Sequence, residues 1–141
     1  MGLLQGLMGN LSEVPKEELE RDYSQYLLEG ETISVGFKLV RDMLIITNLR
    51  IIDFDKQGAT GRKMHVSSIY LDSICEVSCE TAGFGLDDSE IYITYIKSPY
   101  RKAHSISIET KKYEFPKKFD FRPIYVQLES AAHENIRKLN S

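Results

Sequence analysis

Residues 33–58 read ISVGFKLVRDMLIITNLRIIDFDKQG. Three apolar runs, over residues 33–39, 43–47 and 50–55, are separated by tight breaks at Arg41-Asp42 and Thr47-Asn48. Helices of ordinary length do not fit between such breaks, whereas strands of about five or six residues do. In the first run Ile33, Val35, Phe37 and Leu39 alternate with Ser34, Gly36 and Lys38, which is the pattern of a half-buried strand. The second, Met43 to Thr47, is apolar almost throughout, so it reads as a central strand covered on both faces. Asn48 tolerates the left-handed geometry of the next turn, and Arg50 to Asp55 returns as a third strand. The stretch predicts a three-stranded antiparallel meander.

Downstream the same logic continues. Strands are expected at 62–71, 74–80, 90–96 and 103–110, broken at Asp72-Ser73, at the loop 81–88 and at Ser98 to Lys102. Lys111 to Lys118 reads as a polar connection. Asp120 can cap a last helix at about 121–139, with Pro123 in its first turn and Tyr125, Leu128, Ala132, Ile136 and Leu139 as its apolar stripe. Upstream, Pro15 followed by Glu17 and Glu18 starts a helix over 15–28, with Leu19, Tyr23, Tyr26 and Leu27 on one face and Gly30 as its stop. Residues 1–12 carry Leu3, Leu4, Leu7, Met8 and Leu11 at helical spacing. Gly2, Gly6 and Gly9 weaken that helix by about 1 kcal/mol each, so it orders only against the domain, a second subunit or a membrane surface. The order helix, seven antiparallel strands, helix predicts a mainly β fold with α: a bent sheet or open barrel closed by the C-terminal helix.

The composition sets outer bounds. The chain has 141 residues, 42% of them hydrophobic and 28% charged, with a net charge of −3. That supports one domain and argues against general nucleic-acid binding, which wants a basic surplus. No apolar run reaches the roughly 18 residues of a membrane span. The N-terminus lacks the positive start of a secretory signal, and Gly6 stands where myristoylation wants Ser or Thr. A cytoplasmic protein is expected, with a peripheral position at the inner membrane face as the alternative. The two cysteines are then thiols.

Several marks occur in order: Glu29-Gly30-Glu31 before the first strand, Phe37 to Asp42 at the first hairpin, and Thr47-Asn48 with Arg50 at the second. Asp55 to Gly58, Gly61 to Lys63 and Glu80 to Gly83 follow. With the element order, they make the chain resemble the bacterial pleckstrin-homology family over about residues 10–137. The resemblance implies a barrel of two orthogonal antiparallel sheets capped by a C-terminal helix. It implies symmetric rings of subunits, with no established enzymatic activity and no known ligand. Eukaryotic relatives of the fold bind inositol phospholipids or peptides, but fold alone does not carry function across.

Chemical signatures are sparse. Phosphoinositide binding wants cations converging from the hairpin loops. Lys38, Arg41, Lys56, Arg62 and Lys63 are the candidate anion contacts, yet the second strand carries no cation after Met43. Arg101, Lys102, Lys111, Lys112, Lys117 and Lys118 would meet anionic lipid only if they shared a face. Cys75 and Cys79 on one strand lie about 13 Å apart, too far for one zinc ion or a disulfide. His65, His104 and His133 lack metal spacing, and no nucleophile or phosphate-loop motif occurs. No enzyme, cofactor or metal is expected.

The expected organisation is an N-terminal helical extension, 1–30, packed on or beside the domain, and a PH-like domain, 31–141. The expected role is a non-catalytic binding or scaffolding module that forms a cyclic homo-oligomer. Candidate oligomer contacts are Leu3, Leu4, Leu7, Met8, Met43, Ile45 and Tyr92, because strands apolar on both faces need a second cover. Lipid-headgroup binding at an anionic membrane is one alternative. Peptide binding by strand addition, in the groove between the fifth strand and the C-terminal helix, is the other.

Overall fold

The computed structural model describes residues 13–39, 42–57, 63–81, 89–116 and 119–141. The chain divides into two compact units, residues 1–68 and 69–141. Seven antiparallel strands form two sheets, with a short helix before them and a long one after, in the expected order.

In the first unit, helix α1 (Lys16–Tyr23) precedes strands β1 (Ile33–Lys38), β2 (Asp42–Thr47) and β3 (Arg50–Gln57), and β4 (Lys63–Tyr70) begins in this unit and ends in the second. The sheet order is β1-β2-β3-β4. Pro15 presets the backbone for α1, and Glu17 and Glu18 face its positive end. The helix is shorter than its apolar spacing suggests. It tightens into a 3-10 turn at Ser24–Tyr26, and Leu27 is extended with ψ 147°. The chain must turn there because the Leu28 N–H is taken by the Glu31 carboxylate at 2.8 Å.

The β1-β2-β3 register sets two rows on one face. Gly36, Ile45 and Ile52 lie opposite one another, and Lys38, Met43 and Phe54 form the next row. Leu19 of α1 sits over the first row in a buried cluster with Ile33, Ile45, Ile52 and Phe54. Gly36 makes this possible: a Cβ there would lie 2.7 and 2.8 Å from the two Leu19 methyls. Fully burying Leu19 stabilises the docked helix by about 1.5–3 kcal/mol. Leu44, Ile45 and Ile46 are all buried, so β2 is covered on both faces as its sequence predicts. The cover over Ile45 is the chain's own helix. Ile45 is therefore not an oligomer contact: its side chain has no exposed surface to offer.

In the second unit, a 3-10 turn at Leu71–Ser73 leads into β5 (Ile74–Glu80), β6 (Ser89–Ile96), β7 (Ile108–Phe115) and helix α2 (Arg122–Leu139). The sheet order is β5-β6-β7. The seventh strand lies later than 103–110. Ile106 and Ile108, which mimic a strand face, are 42% and 58% exposed, whereas Tyr113 and Phe115 are buried. Tyr113 pairs with Ile91, and Phe115 stacks on Phe119 at 4.5 Å. Burial of that aromatic pair draws the "polar connection" into the sheet. The buried stripe of α2 is Ile124, Leu128 and Ala132 rather than one centred on Tyr125, and Ile136 is 40% exposed. Asn135 takes the inward place, donating from Nδ2 to the carbonyls of Leu71 and Ile74 at 2.7 and 2.8 Å. The Leu71 carbonyl also accepts the Ile74 N–H that closes the 3-10 turn, so Asn135 ties the helix to the point where the turn enters β5. Asp120 accepts the Arg122 N–H at 3.2 Å from one residue before the N-cap, which is Phe121 rather than the expected Asp120. No helix among the described residues is long and apolar enough to cross a membrane.

Candidate functional site

The rows under α1 differ in cover. Leu19 fills the space over Gly36, Ile45 and Ile52, and in the next row Tyr23 and Tyr26 lie over Phe54 while Lys38 and Met43 are covered less among the described residues. A cleft of about 290 Å³ remains there, lined by Val14, Glu18, Tyr23, Lys38, Leu39, Asp42, Met43, Phe54 and Lys56. Its floor is apolar: Phe54 and Leu39 are buried, and Met43 and Tyr23 are half-buried. Lys38 and Lys56 are exposed on its rim. Lys56 follows Phe54 by two residues on β3, so both project from the same face. Lys38 and Lys56 thus stand on β1 and β3, which lie on either side of β2 and so about 9.6 Å apart. Among the described residues neither lysine makes an ion pair. Glu18 stands on the helix side, and Asp42, already engaged within the chain, stands at the hairpin.

The floor is held by aromatic contacts. Tyr23 and Tyr26 pack on Phe54 with ring centroids 4.7 and 5.1 Å away. Burial, reinforced by the Asp22 and Glu18 charges, raises the Tyr23 pKa, so its phenol is neutral at ordinary pH.

Tyr26 is itself tied down by a buried ion pair. Arg50 donates from Nε and Nη2 to the two oxygens of Glu31 at 2.8 and 3.0 Å, and from Nη2 to the Tyr26 carbonyl at 2.8 Å. Its Nη1 reaches Ser68 Oγ at 2.8 Å. Glu31 also accepts from Thr47 Oγ1 at 2.5 Å and from the Leu28 N–H. Burial pushes the Glu31 pKa up. The Arg50 hydrogen bonds, the Leu28 N–H and Thr47 outweigh it and bring the pKa down to about 2. Asn48 completes the knot, accepting the Thr32 N–H at 2.8 Å and donating to the Gly30 carbonyl at 3.3 Å. The sequence marks Gly30, Glu31, Thr47, Asn48 and Arg50 are thus a single hydrogen-bonded cluster, and it carries the segment that positions Tyr26 over the floor. An arginine opening the apolar run Ile51-Ile52 was the available signal for it.

The structure sorts the remaining candidates. Lys38 and Lys56 share the cleft, and Lys63 is exposed at the start of β4 but does not line it. Arg41 and Arg62 lie outside the described residues, as do Leu3, Leu4, Leu7 and Met8. Met43 is part of the cleft floor. Tyr92 is half-buried on β6, its hydroxyl donating to Glu90 at 3.0 Å. Cys75 and Cys79 are half-buried free thiols, and Cys75 Sγ contacts the Thr94 carbonyl at 3.5 Å. Val14, Glu18, Tyr23, Leu39, Asp42 and Phe54 are the cleft residues that sequence reasoning did not single out as site residues. In the second unit, α2 packs along β5, fastened by Asn135 where β5 begins.

A sequence model described as bacterial PH domain matches residues 2–132. The chain is 44% identical over 93 residues to an uncharacterised protein, YjqA, of Bacillus subtilis (strain 168), covering 66% of this chain and 74% of that one. Among solved structures it is similar to a pleckstrin homology domain from Shewanella amazonensis SB2B, with TM-score 0.66 and 32% identity, covering 93% of this chain and 98% of that one. It is also similar to a DUF1696 family protein with a pleckstrin-homology domain from Shewanella loihica PV-4. There the TM-score is 0.65 and the identity 26%, over 86% of this chain and 96% of that one.

Proposed function

From the premise that the chain belongs to the bacterial PH domain family, we propose that it is a non-catalytic binding and scaffolding module that assembles into a cyclic homo-oligomer. The supporting observation is β7. It is an edge of its sheet, and it presents Ile108, with Ile106 just before it, to solvent. An edge strand with exposed β-branched residues is a template for another chain unless something covers it. The opposite edge, β5, already has α2 along it. A contact made by β7 on a different surface of the next copy is heterologous, and it closes into a ring when the rotation permits.

Light scattering on the purified protein tests this reading. The expected mass is an integer multiple of 16.2 kDa, and a mass of 16.2 kDa at tens of micromolar overturns the assembly. Ile108→Lys puts a charge on an exposed site, so the fold stays intact while the particle shifts towards single subunits. An unchanged particle in that variant removes β7 as the contact.

A further inference from the structure

We infer that the segment 13–19 is a strap that keeps the outer edge of β1 closed to a second copy of the chain. The inference rests on reading the chain as an assembling module and adds a control over which edges take part. β1 is an edge of its sheet, and the chain itself closes it. Glu13 bridges Phe37 in the antiparallel sense, and the Val14 N–H donates to the Gly36 carbonyl at 2.9 Å. Pro15 has no N–H, so the pairing stops there. Its carbonyl accepts the Glu18 and Leu19 N–H groups, both at 3.1 Å, and the chain turns straight into α1. Leu19 then comes back over Gly36, where a Cβ would lie 2.7 Å from a Leu19 methyl. Gly36 is thus held twice, at its carbonyl by Val14 and across its face by Leu19.

The strap is short and the strand is longer. The bridge and its hydrogen bond engage Phe37 and Gly36, whereas β1 begins at Ile33 and carries the β-branched Ile33 and Val35. An edge strand with open backbone groups is a template for another chain. A second copy offers the same edge, and two identical edges pair antiparallel about a two-fold axis. Charge permits that pairing. Lys38 is the sole charged residue of ISVGFK, and the antiparallel arrangement puts the two Lys38 side chains at opposite ends. The seated strap fills the place the second strand would need. Lifting it exposes an isologous contact that doubles the mass of the particle carrying it.

The experiment compares the full chain with Val14→Pro, which removes the N–H donated to Gly36, and with Val14→Ala, which keeps it. Light scattering gives the particle mass, and hydrogen exchange at the Leu19 amide gives the opening of the strap. Val14→Pro is expected to exchange about fivefold faster there, the effect of one hydrogen bond of roughly 1 kcal/mol. Its particle is expected to reach twice the parent mass as concentration rises, while Val14→Ala keeps the parent mass. Leu19→Ser lifts the strap from its other end and should double the mass too. Ser34→Lys charges β1 at an exposed position, and in the Val14→Pro background it should restore the parent mass. Parent mass in both release variants, unchanged Leu19 exchange in Val14→Pro, doubling in Val14→Ala, irregular aggregates in place of a twofold step, or a doubled mass that survives Ser34→Lys overturns the inference. A single-subunit parent whose release variants double sinks the ring alone. An assembled parent whose release variants do not grow sinks the strap alone.

Discussion

Arg50 places a guanidinium next to Ile51 and Ile52, where Glu31 meets it with both carboxylate oxygens. The Glu31 side chain is fully buried and that of Arg50 is 10% exposed. Removing one member of a buried pair strands the other charge and costs about 3–5 kcal/mol. Glu31→Gln keeps the shape and removes the charge, so urea denaturation at neutral pH should show a loss of that size. A loss below about 1 kcal/mol would mean that Arg50 finds another counter-charge. The acid limb is a second readout. The Glu31 pKa is lowered from 4.5 to about 2 on folding. The stability it contributes is therefore full above pH 4.5 and fades as pH falls towards 2. In Glu31→Gln that limb should flatten, and an unchanged slope between pH 4.5 and 2 would assign acid sensitivity to other carboxylates.

Elements meet through shapes that a one-dimensional pattern only partly encodes. The dock of α1 on β1 depends on a missing side chain: Gly36→Ala would drive a methyl into Leu19. Overpacking of this kind costs about 1–3 kcal/mol. Leu19→Ala should cost less in the Gly36→Ala background than alone, and strictly additive losses would show that α1 relaxes away without strain. The meander itself was legible in residues 33–58, because alternation and two polar breaks leave strands as the only fit. The start of the seventh strand was not. Ile106 and Ile108 alternate with serines as well as any buried pair does, and only pairing of Tyr113 with Ile91 shows which residues the sheet keeps. The face of α2 was misplaced because Ile124 and Tyr125 are both apolar, and periodicity cannot say which one faces inward. Of the cleft, Lys38 and Lys56 could be read from the hairpins. Their neighbours Glu18 and Tyr23 could not, since the register of a docked helix on a sheet is a property of packing.

At the scale of the whole molecule, family membership brings a binding fold without a ligand, so the physical character of its contacts must decide how it is used. A contact made by Ile106 and Ile108 is apolar, and it gains nothing from long-range charge. Between 0.1 and 1 M salt the screening length falls from about 10 to about 3 Å. The assembled mass should therefore survive that change, whereas dissociation at 1 M would reveal an interface held by ion pairs.

The aromatic cluster over Phe54 has an optical consequence. The chain has eight tyrosines and no tryptophan. Tyrosine emission is therefore not drowned by a stronger fluorophore, and two of the emitters, Tyr23 and Tyr26, are the rings lying against Phe54. Unseating α1 would move both into water while the sheets stay folded. The protein thus carries an intrinsic, label-free gauge of whether the roof of its cleft is in place.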